Sequence, residues 1–182
     1  MSGLDDLYPF LGDQSADAGP ILAEIRASTL EKSREVSALR RALSDRHADQ
    51  LVFAARLLAE ALAGGSKVLA FGNGGSATDA EDLVADLTTP PDPGWRPLPA
   101  IDLTRDVAML SAVGNDVGFE STFARQIIAY GKPGDVAVGF STSGSSANVI
   151  AGFEQARRQG MATVGFAGYD GGRMAARACS TC

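Results

Sequence analysis

The sequence is nearly without cysteine and histidine and has no long apolar run, and each scarcity removes a class of protein. Its two cysteines, Cys179 and Cys182, stand at the very end of 182 residues. That is too few for a disulfide framework, and the acidic N-terminus lacks the basic-then-apolar order of a secretory leader. Both features predict a reducing, cytoplasmic setting. No stretch approaches the ~18 consecutive apolar residues that a membrane span requires. Basic side chains are outnumbered, 16 Lys and Arg against 22 Asp and Glu, for a formal charge of −6. Such a balance argues against nucleic-acid and anionic-membrane partners, which need clustered positive charge. An acidic chain of this kind must bind any phosphate through local backbone donors. The only histidine, His47, has no obvious partner and reads as a surface residue between two helices.

What is present is a core-forming composition, 45% hydrophobic with 21 glycines, enough for one well-buried domain. Residues 1–19, rich in Asp, Gly and Pro, predict an arm. From Pro20, the residues Leu22, Ile25, Thr29, Val36, Leu39 and Leu43 recur at helical spacings, and a second helix is expected over 49–62, closed by Gly64-Gly65. The period then changes. Short apolar strands are expected at 67–71, 100–103, 135–140 and 162–166, alternating with helices at 76–87, 107–113, 119–129 and 146–159. Strands apolar on both faces and separated by helices predict an α/β fold, a parallel sheet sandwiched by helices. The domain reading is therefore one domain over 20–182, with two helices in 20–65 ahead of an α/β core in 66–182. The segment 173–182 reads as a short helix and the first residues of a further strand.

Two turns draw attention. Phe71-Gly72-Asn73-Gly74-Gly75-Ser76 follows the first strand, its glycines allowing a sharp turn and Ser76 serving as a helix cap. Ser141-Thr142-Ser143-Gly144-Ser145-Ser146 follows the third strand with five hydroxyls, more than capping needs. Each precedes a helix, whose unpaired amides and dipole make an anion site. Neither is a Walker loop, and no acidic residue stands where a dinucleotide ribose would need one. On the helix after the first turn, Asp79, Asp82 and Asp86 share one stripe, which reads either as a solvated face or as catalytic carboxylates. Trp95, in a loop with five prolines, reads as a cover for a sugar site or a subunit contact, and Cys179 and Cys182 as ordinary thiols.

The GNGGS segment at 72–76, VGND at 113–116 before Gly118-Phe119, GDVAVGFSTSGSSANVI at 134–150 and AGYDGGRMA at 167–175 together resemble the phosphoheptose isomerase group of SIS (sugar isomerase) domain proteins. The resemblance implies a five-stranded, flavodoxin-like three-layer fold and a homotetramer or homodimer with sites between subunits. It implies interconversion of sedoheptulose 7-phosphate and a heptose 7-phosphate. It also implies that Asn73, Gly74, Gly75, Ser76, Asn115, Asp116, Ser141, Thr142, Ser143 and Ser146 contact the sugar phosphate. A His and a Glu four residues apart serve the family as metal ligands, the Glu also as base, and a zinc ion occurs in some members. The matching positions here are Asp82 and Asp86, so a divalent metal would meet an altered ligand set, and Asp86 is the candidate base. The family's remaining metal ligands and its acid/base histidine lie on a final helix, and the sequence is expected to stop before it. Two functions follow: an aldose–ketose isomerase, or a non-catalytic SIS module that binds a sugar phosphate or a protein partner.

Overall fold

The computed structural model describes residues 18–178. Two compact units divide it, one ending at Leu51 and the other beginning at Val52. In chain order the elements are α1 (Ala18–Ala63), β1 (Val68–Phe71), α2 (Gly75–Thr88), β2 (Ala100–Asp102), α3 (Val107–Asp116), a 3-10 turn (Phe119–Ser121), α4 (Thr122–Tyr130), β3 (Val136–Ser141), α5 (Ala147–Arg158), β4 (Ala162–Ala167) and α6 (Gly172–Ala178).

The two helices expected before the sheet are one. α1 runs unbroken from Ala18 to Ala63, because residues 44–49 (Ser, Asp, Arg, His, Ala, Asp) contain neither Gly nor Pro, and the Ser and Asp start signals alone do not interrupt a hydrogen-bonded helix. His47 thus lies within a helix, exposed, with Nδ1 against Gln50 Oε1. In the first unit α1 leaves large apolar side chains in water, among them Leu22, Ile25, Leu39 and Leu43. The expected arm falls almost wholly outside the described residues, as does the further strand expected to begin near 179.

All four expected strands are present. They form one parallel sheet in the order β2-β1-β3-β4, four strands among the described residues where the resemblance implied five. The strand period divides the core. Leu69, Phe71 and Ala137 face Phe123, Ile127, Val149, Ile150 and Phe153 from α4 and α5. Val68, Val136 and Val138 face Leu62 and, on α2, Leu83 and Leu87. Phe71 lies between two rings, 5.2 Å from Phe123 and 5.3 Å from Phe153 by centroid. Gly139 makes this possible, since a Cβ there would meet the Phe153 ring at 2.5 Å.

The topology sets the functional end. From β1 the chain moves to β2 on one side, then returns to place β3 on the other. At such a reversal the connections leaving β1 and β3 diverge to opposite faces and open a crevice at the strands' carboxyl ends.

At the opposite end, one ion pair fastens β1 to β3. Asp135, 3% exposed, accepts from Lys67 Nζ at 2.5 Å, from the Lys67 amide at 3.0 Å and from the Lys132 amide at 2.9 Å. Burial alone would raise this carboxyl, but those hydrogen bonds and the Lys67 charge overcome it and hold the carboxyl below the usual carboxylate range. A depressed folded value gives stability that is complete above the unfolded value of about 3.9 and is lost as pH falls through the folded one. Asp135→Ala, which strands two amides and an ammonium, should therefore destabilise the fold by about 1–3 kcal/mol at neutral pH. In thermal melts it should also flatten the acid limb below about pH 4. An acid limb as steep as that of the parent chain would refute this account of Asp135.

Candidate active site

The two expected turns meet at the crevice between β1 and β3. A cleft of about 240 Å³ is lined by Asn73, Ser76, Phe140, Ser141, Thr142, Ser143 and Ser146. It is smaller than the roughly 300–1,000 Å³ that encloses a whole drug-sized ligand, and it suits a small polar end group such as a phosphate.

The first turn depends on glycine. A Cβ on Gly72 would lie 2.3 Å from the Ser76 carbonyl oxygen, and Gly74 has φ +56°. Gly74, not Ser76, is the residue preceding α2, and no side chain caps this helix. Ser76 falls two residues too far along to act as a cap, because the turn tightens through Ser76 N to Asn73 O at 3.0 Å and Ala77 N to Gly74 O at 2.9 Å. α5 begins after Ser146, whose side chain makes no capping bond. Ser146 Oγ instead lies 2.9 Å from Ser141 Oγ. Neither helix has an acidic residue in its first turn. Two helix N-termini thus arrive at one crevice with no N-cap side chain bonded to either and no first-turn carboxylate competing for the positive ends of their dipoles. Thr142 and Ser143 are exposed at the mouth and add hydroxyls.

The second turn is clasped from behind by the segment after β4. Gly168 N donates to Thr142 O at 3.1 Å, Met174 N to Gly144 O at 2.8 Å and Arg173 N to Ser145 Oγ at 3.2 Å. The backbones touch so closely that a Cβ on Gly144 would stand 2.0 Å from Gly171 O, and one on Gly172 would stand 2.4 Å from Ser143 O. Tyr169, the only described non-glycine residue at positive φ (+53°), occupies the tip of this clasp and is 91% exposed. The AGYDGG run therefore has a mechanical reason: it sets the shape of the serine-rich turn.

The remaining expected residues lie elsewhere. Gly74 and Gly75 are exposed in the first turn and do not line the cleft. Asn115 and Asp116 end α3, exposed, with Asn115 Nδ2 on Asp116 Oδ1 at 2.7 Å. Asp79, Asp82 and Asp86 are exposed on α2, whose buried face is Ser76, Ala80 and Val84. Among the described residues no three His, Cys, Asp or Glu side chains gather into a metal-binding group. Two exposed carboxylates without nitrogen or sulfur partners do not fit the zinc of the family. Sequence reasoning passed over two residues. Asn148 bonds across the crevice to Asn73. Asp102, at the carboxyl end of β2, accepts at Oδ1 from Thr104 N and Oγ1, and its buried Oδ2 has no partner among the described residues.

Comparisons with known proteins agree with this geometry. A family model described as SIS domain matches residues 33–168. A phosphoheptose isomerase of Aquifex aeolicus is 48% identical over 142 residues, covering 78% of this chain and 74% of that protein. One from Nitratidesulfovibrio vulgaris strain Miyazaki F is 45% identical over 151 residues, 83% of this chain and 73% of that one. The solved phosphoheptose isomerase of Neisseria gonorrhoeae superposes with a TM-score of 0.76 at 39% identity, over 86% of this chain and 80% of that one. A phosphoheptose isomerase from Francisella tularensis gives 0.77 at 32%, over 83% and 80%. The fold and its two-helix cleft define an SIS-domain protein. Within that class the chain belongs to the phosphoheptose isomerase family.

The clasp makes a prediction. Gly144 combines φ +60° with the contact to Gly171, so Gly144→Ala should lower the Tm and abolish stabilisation by sugar phosphates. Gly74→Ala, with nothing within 4 Å of its Cβ, should show only the backbone penalty of φ +56° with ψ −123°, a strained conformation for a side-chain-bearing residue that costs about 1–3 kcal/mol. Differential scanning fluorimetry with and without ligand distinguishes the two; equal behaviour would count against the clasp.

Proposed function

We propose that the protein isomerises sedoheptulose 7-phosphate, holding the phosphate in the cleft between β1 and β3. The observation that carries this is the pair of uncapped helix N-termini opening on one cleft lined by Ser and Asn, in a chain 48% identical to a phosphoheptose isomerase. An anion there meets amide dipoles and hydroxyls in fixed positions, which holds it despite the chain's net negative charge.

Aldose–ketose isomerisation moves one proton between adjacent carbons through an enediol while another shifts between the two oxygens. The phosphate anchor fixes one end of the sugar, so the reacting carbons are presented to a base in one orientation. We assign the base to Asp86. It stands ten residues after Ser76 on α2, about 15 Å along the axis, too far to serve the cleft at the start of its own helix. On this reading it acts at the cleft of a neighbouring copy, in a homotetramer or homodimer. The apolar side chains that α1 leaves exposed, including Leu22, Ile25 and Leu39, offer such an assembly a surface. We draw no step through a metal ion. Among the described residues no helix is long and apolar enough to cross a membrane, and we place the enzyme with the sugar phosphates of the cytoplasm.

The test is conversion of sedoheptulose 7-phosphate followed by NMR, with and without added divalent metal. The parent protein should turn it over, and no turnover would leave the reading of a sugar-phosphate-binding module. Asp86→Asn should lower kcat by about 10²–10⁴ while thermal stabilisation by the sugar phosphate persists. Retained kcat would remove Asp86 from the mechanism. Light scattering should give a mass above that of one chain, and a clean monomer would exclude a shared site.

A further inference from the structure

Asn148 lies in the first turn of α5 and is 2% exposed. Its Nδ2 donates to Asn73 Oδ1 at 2.9 Å and to Thr122 Oγ1 at 3.4 Å, while its Oδ1 accepts from Asn73 Nδ2 at 2.8 Å and from the Val149 amide at 3.0 Å. These use both N–H groups and both lone pairs of a carboxamide, so the side chain has nothing left to offer a ligand. The Val149 amide can only donate, which fixes the end of Asn148 that is oxygen. The reciprocal pair then fixes the end of Asn73 that is nitrogen. Asn73 keeps one N–H, on a side chain that belongs to a cleft-lining residue. Thr122 in turn donates to Phe119 O at 2.9 Å, which joins the turn after Asn115 and Asp116 to the same network.

We propose that Asn148 is a positioning residue of the sugar-phosphate site: through the reciprocal amide pair it holds Asn73 with a fixed N–H available to the bound anion, and so couples the first turn to the second. This rests on the sugar-phosphate reading above. Asn148→Asp keeps the shape and the acceptor for Val149 but sets a carboxylate oxygen against Asn73 Oδ1. Turning Asn73 over only moves the same clash to the other oxygen, so Asn73 must let go.

The experiment is a thermal-shift titration with sedoheptulose 7-phosphate and, separately, inorganic phosphate, converted to Kd by linkage. Asn148→Ala, Asn148→Asp and Asn73→Ala should each raise Kd about tenfold or more, the loss of one well-made hydrogen bond to a charged group. The double variant Asn73→Ala/Asn148→Ala should lie within about twofold of Asn73→Ala, since one pair can be broken only once. A lowered Tm with unchanged Kd in the Asn148 variants, or effects that multiply in the double variant, would overturn the proposal. Because Asn148 is buried and its variants can fail to fold, the parent protein carries a second test. In a side-chain amide NMR titration with inorganic phosphate, an Asn73 N–H signal should move while both Asn148 signals stay. Movement of Asn148 instead, or none at Asn73 while phosphate binds, also overturns it. If neither probe stabilises the parent chain, the sugar-phosphate reading fails and takes this proposal with it. If the parent is stabilised and the Asn148 variants are stabilised equally, only the positioning role fails.

Discussion

Parallel pairing of β1 with β3, in the register Val68 to Val136 and Phe71 to Gly139, is the constraint on which the rest of this molecule depends. It brings two turns separated by some seventy residues to neighbouring strand tips. It also lets α2 and α5 begin there with no N-cap side chain bonded to either end. Everything that supports the proposed anion site follows from that adjacency. The same pairing explains the glycine at position 139, where the core needs an aromatic ring in place of a side chain. The Lys67–Asp135 ion pair secures the far end of the same two strands.

The cleft is assembled from groups that carry no formal charge. On the proposed reading, backbone amides and serine hydroxyls hold the phosphate without Lys or Arg, which reconciles an acidic chain with an anionic ligand. Main-chain donors cannot relax toward an ion as long side chains do, so their geometry has to be built in advance. The glycine contacts behind the second turn and the amide pair beside the first supply that geometry with very few atoms.

Much of this was legible in the sequence, and the reasons are physical. Strands buried on both faces are short apolar runs with sharp ends, and all four fell within a residue or two of their expected bounds. The glycines of the first turn and the hydroxyls of the second stand out because no simpler connection needs them. The break between two N-terminal helices was misjudged because Ser and Asp signal a helix start only when the preceding turn has ended, and nothing before residue 49 ends it. Ser76 was misplaced as a cap because glycine at 74 lets the helix begin one residue sooner. Asn148 passed unnoticed because its partner lies 75 residues away, and a single Asn in a helical first turn has no signature of its own. Asp82 and Asp86, which the resemblance brings forward, stand exposed on α2, and among the described residues no third ligand joins them.

The interlock between Gly144 and Gly171–Gly172 has a bearing on how such a protein can change over time. Two backbones that touch without side chains between them cannot accept new residues one at a time, since a methyl group on either strand of the contact collides with the other. Diversity in what the pocket accepts must therefore enter through the rim, at positions such as Thr142 and Ser143. The contact between the serine-rich turn and the segment after β4 will resist drift long after the surrounding surface has been rewritten.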